Sequence, residues 1–365
     1  MARILFYTSI QTRVRDQESL MVEFVRQGHQ VFFLNQQPNP YLPAICKEAG
    51  VTYQTLPTPR IDNSYWKLFF YWKQLVWFAW RNKVDVIYSH LEPANFIAVF
   101  VQFFIRAKVV VVRHHLDLAQ LAGFSNDLSY KITYRLARTI IVVSERAKQF
   151  MIEQEGVAPG KIYPVRLGYD FSCFGEVNNQ KVATLKQRLS GKVCLITVGR
   201  LDLYKRPEIS LEILRKLLAD GVSAHLIFLG SGDQRQLLEA RVNEFGLGDL
   251  VEFLGYADDV LTYLKASDWL IHPSISESSC VVIKEAGLVE LPVIVCKGVG
   301  DFDEYLVHGK NSFLVDPEKF VGEASAVIKQ QSGNKAIIGK LLNKEIMSRF
   351  HISSVIGQYK IFNGE

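Results

Sequence analysis

Glu277 and Glu285 stand eight positions apart in ESSCVVIKE, where the apolar stretch ASDWLIHPSISE runs through a serine-rich turn into a predicted helix. Side-chain oxygens of the turn Ser276 to Ser279 suit the cap of a helix starting near Cys280. Glu285 then falls just past the first turn and Glu277 stays in the loop, so both acids face one cleft. Free N–H groups at a helix start attract anions, and carboxylates beside them hold sugar or ribose hydroxyls. A phosphorylated sugar satisfies both halves of that description. Upstream, ITVGRLDLYKRPEISLEILRKL ends a β-branched strand at Gly199 and puts Arg200 and Lys205 in the loop before a helix. Two cations at the carboxyl end of a strand suit a diphosphate, since that is where open α/β sheets bind ligands. Each charge taken singly also fits an ordinary solvated surface. Their combination is what points to a site.

The elements that must position these residues alternate along the chain. RILFYTS, HQVFFLN, VDVIYSH, AKVVVVRH, RTIIVVS and KIYPVRL read as strands, with a helix from about Asp16 to Gln27 after the first, and a second strand series starts at Lys192. Continuous β-branched runs between amphipathic helices predict parallel sheets covered on both faces. The polar, glycine-containing GYDFSCFGEVNNQ between the two series predicts a linker. It divides an α/β chain into residues 1–171 and 172–349, with 350–365 forming a final helix.

The order VGRLxxxK, LIFLGSGD, VEFLGYADD, SDWLIHPSISESSCVVIKEAGLVELPVIV and GDFDEYLVHGKNSFLVDP closely resembles the carboxyl-terminal half of glycosyltransferase family 4, strongly over residues 192 to 317. These are retaining enzymes of GT-B architecture, two Rossmann-like domains facing across a cleft, whose closing helix crosses back onto the first domain. SRFHISSVIGQYKIFN resembles that helix, and Gly168, Asp170 and Phe174 match the family's linker. The resemblance implies that Arg200 and Lys205 hold the donor diphosphate, Glu285 the nucleotide ribose and Glu277 the transferred sugar. It also places Ser278, Ser279, Gly230, Tyr256 and Glu304 along the donor wall. Family members often read Glu-Gly-Phe-Gly where this chain has Glu277-Ser278-Ser279-Cys280.

In the first half, VVVVRHHLD puts Arg113, His114 and His115 at the carboxyl end of a strand. One histidine resembles a family position that contacts the transferred sugar, and register favours His114. His115, Arg113, His90 of YSHLEPAN and Arg13 of TSIQTRVRD are the other acceptor-side candidates. The family's glycine pair after the first strand is absent. No metal is expected: the histidines lack an adjacent acidic or cysteine partner, and Asp301-Phe302-Asp303 lies too late in the second domain for a metal clamp. The implied reaction uses a nucleoside-diphosphate sugar as co-substrate and no cofactor. Two further functions share the architecture, a sugar-nucleotide 2-epimerase and a non-catalytic nucleotide-sugar-binding subunit.

A chain of 365 residues with 48% hydrophobic content suits two domains of ordinary size. Cys46, Cys173, Cys194, Cys280 and Cys296 are odd in number and widely spaced. Reduced thiols are expected from this pattern, and MARILFYTSI reads directly into a buried strand without signal-peptide features, so a cytoplasmic location is expected. Residues 1–170 carry 20 Lys and Arg against 13 Asp and Glu, whereas the remainder carries 22 against 24. Within the basic half, residues 64–83 interleave four of the five tryptophans with Lys67, Lys73, Arg81 and Lys83. Two readings of this helix stand. It lies on an anionic membrane surface, or its aromatics, Trp72 and Trp77 among them, pack inward while the lysines snorkel. The first reading implies a lipid-linked or polysaccharide acceptor. Nucleic acid is not expected, because no binding-fold signature accompanies the charge.

Overall fold

Val109 to Val112 are buried without interruption, as a strand covered on both faces requires. Such runs organise the whole protein. The structure, a computed structural model, describes residues 1–59, 64–115 and 127–364; Leu116 and Asp117 of VVVVRHHLD lie outside them. The chain forms two compact units, Met1–Phe171 with Phe350–Glu365, and Ser172–Arg349.

The first unit holds β1 (Arg3–Thr8), β2 (Gln30–Asn35), β3 (Thr52–Thr55), β4 (Val86–His90), β5 (Lys108–Arg113), β6 (Ile140–Val142) and β7 (Ile162–Pro164). They pair in parallel in the order β3-β2-β1-β4-β5-β6-β7. The order reverses between β1 and β4, so their carboxyl ends flank a topological switch point. On one face Leu5, Ile87, Val109 and Val111 pack with Leu75, Phe78 and Ala98 of the helices Ser64–Arg81 and Ala94–Val101. On the other face Phe6, Phe33, Val110 and Val112 meet Phe24, Ile352, Tyr359 and Phe362.

The carboxyl terminus thus completes the core of the first unit, and the Tyr88 hydroxyl donates to Asn363 Oδ1 at 2.7 Å. Instead of one closing helix, Lys335–Phe350 is followed by the short helices Ile352–Val355 and Lys360–Asn363. The break falls at His351, whose extended backbone bridges to Tyr169. The Ile352 amide donates to the Tyr169 carbonyl at 2.9 Å.

The helix Ser64–Arg81 has two apolar sides. Leu75, Phe78 and Ala79 face the core, and Leu68, Tyr71, Trp72 and Val76 pack beside them. The outward side carries Trp66, Phe69, Trp77 and Trp80, with Trp80 77% exposed. Trp77, expected inward, therefore lies outward, because Leu75, Phe78 and Ala79 already fill the stripe above the sheet.

The second unit holds β8 (Val193–Val198), β9 (Ala224–Leu229), β10 (Val251–Gly255), β11 (Trp269–His272), β12 (Val293–Cys296) and β13 (Phe313–Val315). All are parallel in the order β10-β9-β8-β11-β12-β13, with the switch between β8 and β11. Among the described residues no helix of either unit is long and apolar enough to cross a membrane.

Candidate functional site

In the second unit the loops after β8 and β11 are sewn together at the switch point. The amide of Ile275 donates to the Tyr204 carbonyl at 3.0 Å, and the buried Ser274 hydroxyl donates to the same oxygen. Asp202 Oδ1 accepts from the amides of Tyr204 and Lys205, setting the turn that aims Lys205. Its ammonium donates to Glu277 Oε1, which also accepts from His272 Nε2 at 2.7 Å. Burial by itself would raise the Glu277 carboxyl; Lys205 and His272 outweigh it and hold the group at about 2. Burial likewise pulls His272 down, but the Cys280 sulfur and the Glu277 carboxylate raise it to about 9. The Lys205 ammonium is raised in turn, Glu277 outweighing its desolvation. Glu277 is therefore an anion and Lys205 a cation at neutral pH.

The serine-rich turn does something other than cap a helix. The helix is Val281–Leu288, and its cap residue Cys280 makes no side-chain capping bond. Ser279 Oγ donates instead to Asp301 Oδ2 at 2.7 Å, and Lys284 Nζ donates to Asp301 Oδ2 at 2.8 Å, to Ser279 Oγ and to Tyr305 Oη. A fully buried ion pair thus ties the loop bearing Glu277 to the segment after β12. Asp301 is committed to this pair and Asp303 Oδ2 accepts from the Gly298 amide, so the Asp-Phe-Asp sequence is a brace for the loop. Gly300, at φ +56°, lies against Glu277; a Cβ there would come within 2.9 Å of the Glu277 Cβ.

The remaining donor-side candidates line the same edge. Glu285 is buried within Val281–Leu288, one position after Lys284. Arg200 is 78% exposed and meets Asp202 at 3.2 Å. Gly230 follows β9 at φ +140°, where a Cβ would stand 1.9 Å from the Gly199 carbonyl oxygen, so only glycine lets the two strand ends approach. Ser278 is half-buried in the loop, Glu304 lies in the helix Phe302–Tyr305, and Tyr256 is exposed after β10. His272, Cys280 and Lys284 were not among the sequence candidates. The available signal was polarity inside otherwise apolar runs, in WLIHP and VVIKEAGL.

In the first unit, His90 and His114 meet at the carboxyl ends of β4 and β5, with Nδ1 and Nε2 2.9 Å apart. Burial pushes His114 down to about 4, and burial with the neighbouring ring pushes His90 well below its ordinary range. Both are neutral near pH 7. Arg113 is buried, pairs with both oxygens of Glu155 and donates from Nε to the His115 carbonyl at 2.8 Å. Its guanidinium thereby ties the loop that carries the histidines to Glu155. His115 is exposed, and Arg13 pairs with Glu18 at 2.6 Å.

Comparison with known proteins accords with this arrangement. Residues 184–338 match the glycosyl transferases group 1 family, and residues 18–172 match Glycosyltransferase Family 4. An uncharacterized glycosyltransferase of Methanocaldococcus jannaschii is 26% identical over 65% of this chain and 63% of its own length, slightly under two thirds of that relative. N-acetyl-alpha-D-glucosaminyl L-malate synthase of Bacillus anthracis is 22% identical over 77% of this chain and 75% of its own. UDP-Gal:alpha-D-GlcNAc-diphosphoundecaprenol alpha-1,3-galactosyltransferase of Escherichia coli is 23% identical with the same coverage of both chains. Among solved structures, Anabaena HepE in complex with UDP-glucose superposes with a TM-score of 0.80 at 19% identity, covering 98% of each chain. With two Rossmann-like parallel sheets of GT-B type and matches across both units, the chain belongs to glycosyltransferase family 4.

Proposed function

We propose that this glycosyltransferase is a retaining, metal-independent enzyme that moves a hexose-type sugar from a nucleoside diphosphate to an acceptor hydroxyl in polysaccharide or glycolipid assembly. The observation that carries this reading is the Lys205–Glu277 pair at the carboxyl ends of β8 and β11, beside a helix start that its cap residue leaves open. As the anomeric C–O bond breaks, negative charge builds on the leaving diphosphate. Lys205, Arg200 and the helix-start amides are the groups that stabilise it. Glu277, held ionised, positions the sugar as it acquires oxocarbenium character. Glu285 takes the ribose. The leaving phosphate accepts the proton of the incoming hydroxyl on the same face, which retains the anomeric configuration without a protein nucleophile. His114, neutral because it is desolvated, is the first unit's candidate acceptor-side hydrogen-bonding group.

The acceptor we propose is lipid-linked or polysaccharide, reached by a cytoplasmic protein resting on an anionic membrane. Support comes from the outward face of Ser64–Arg81, where Trp66, Phe69, Trp77 and Trp80 accompany Lys73 and Arg81. Phe103 and Phe104 add to this surface, with Phe104 in edge contact with Trp72 at 4.9 Å. Aromatic rings beside cations suit the headgroup level of a bilayer. The name of the E. coli relative, an enzyme acting on a diphosphoundecaprenol, points the same way. A panel of UDP-, GDP- and ADP-sugars, tested with glycolipid extracts and scored by the anomeric configuration of the product, tests the reading. An α-linked product from an α-linked donor is expected; an inverted product, or free epimerised sugar nucleotide, contradicts it.

A further inference from the structure

The donor edge contains a second constellation, which shares Glu277 with the transfer reaction and adds His272 and Cys280. His272 Nε2, Glu277 Oε1 and Cys280 Sγ lie within 4.8 Å of one another, with nitrogen and sulfur 3.5 Å apart and nitrogen and oxygen 2.7 Å apart. The thiol and the carboxylate address the same imidazole nitrogen. A nucleophile–base–orienter relay requires them on opposite nitrogens, with the base between them. This trio is not such a relay. Three donors converging on one point is the arrangement a cation takes.

We propose that His272, Glu277 and Cys280 form a binding site for a thiophilic divalent cation, zinc being the best fit, and that its occupancy competes with the sugar donor. At tetrahedral angles, Zn–S of about 2.3 Å and Zn–N of about 2.0–2.1 Å put sulfur and nitrogen about 3.5 Å apart. That edge already exists. The nitrogen–oxygen edge, 2.7 Å here, must open by about 0.6–0.8 Å, a side-chain adjustment within reach of a loop residue. Thiolate with imidazole favours zinc or cobalt over magnesium or calcium, and three protein ligands leave one position for water. His272 and Cys280 are buried, whereas Glu277 is half-buried and gives the trio its opening. Binding would release two protons to solvent, that of the Cys280 thiol and that on His272 Nε2, and form one bond each to sulfur, nitrogen and oxygen.

Competition follows from Glu277, whose Oε1 also holds Lys205. A cation there takes the carboxylate from the ammonium, repels it, and removes both groups from the donor. This second clause rests on the donor reading above; the site itself does not. Cys280 stands in the stretch where the family often reads Glu-Gly-Phe-Gly, so the thiol is a departure of this chain.

Cobalt(II) titration of the intact protein, followed by the sulfur-to-cobalt charge-transfer band and reversed by zinc, tests the site without reference to activity. The band should appear in the wild type and in Cys173→Ser, whose thiol is exposed elsewhere. It should vanish in Cys280→Ser, with zinc affinity lowered more than about 10-fold, a loss that outer-shell partners alone can cause. In the unmodified protein zinc should also protect Cys280, but not Cys173, from alkylation read by mass spectrometry. That measurement needs no variant to fold. Absence of the band, its survival in Cys280→Ser, or unprotected Cys280 would overturn the site. A saturating donor should bleach the band. If the site passes and the donor leaves the band intact, competition and the placement of the donor beside Glu277 both fall.

Discussion

The Lys284 ammonium meets the Asp301 carboxylate at 2.8 Å, and both side chains are shut away from water. The pair fastens the loop carrying Glu277 to the segment that follows β12. Removing one partner leaves an uncompensated buried charge, so Lys284→Met should destabilise the second unit by roughly 3–5 kcal/mol. Lys284→Met with Asp301→Leu should recover much of that loss, because replacing both charges spares the desolvation cost. Turnover should stay low in the double variant, since Ser279 has lost its anchor. Urea unfolding checks the first two statements and steady-state kinetics the third.

Glu92 and His114 give the first unit opposite pH dependences. Burial holds Glu92 up to about 7, against the hydrogen bond from the Phe96 amide. Its contribution is full below the unfolded value of about 4.5 and is lost as pH rises toward 7. His114 is depressed to about 4, so its contribution is full above about 6.5 and is lost as pH falls toward 4. Glu92→Gln should remove its own falling contribution between about pH 4.5 and 7 and leave that of Asp16, which burial likewise holds up to about 7, so the variant's stability should rise relative to the wild type's as pH increases through this window. Denaturant midpoints measured across this range in both proteins decide it; superimposable profiles would refute the assignment.

Much of the architecture was legible in the sequence for a physical reason. Strands buried on both faces must be apolar throughout, so Val109 to Val112 and Ile140 to Val142 announce themselves. Thr52–Thr55 was missed because it is an edge strand, only partly buried and without an apolar run. The site was legible only where a residue type states its own chemistry, as with Lys205 and Glu277. The pairing of Lys284 with Asp301 was not legible because it joins the helix Val281–Leu288 to a segment 17 positions away, and His272, at the end of β11, meets Cys280 only in the fold. The helix Ser64–Arg81 could not be oriented from its composition. Both of its sides are apolar, and only packing reveals that Leu75, Phe78 and Ala79 take the inner one.

The outward side of that helix makes a separable prediction. Trp66→Ser with Trp80→Ser should leave stability within about 0.5 kcal/mol, as expected for exposed sites, while abolishing sedimentation with anionic vesicles. Binding of the wild type should weaken with salt, since screening acts within about 10 Å at 0.1 M. Equal sedimentation with neutral and anionic lipid would count against a charged membrane as the partner.

The two glutamates should separate kinetically. Glu285→Gln should raise the dissociation constant of the free nucleoside diphosphate, whereas Glu277→Gln should lower turnover with nucleotide affinity nearly intact. Equal losses of nucleotide affinity would show the roles to be misassigned.

Calorimetric titration of the best-binding nucleoside-diphosphate sugar into wild type, Arg200→Ala and Lys205→Ala tests the donor site most directly. The account predicts affinity reduced at least about tenfold in each variant, which corresponds to about 1.4 kcal/mol. Arg200→Ala should keep wild-type stability, because an exposed charge contributes little to folding. Wild-type affinity in both variants would contradict the placement of the diphosphate at the carboxyl ends of β8 and β11, and with it the central claim.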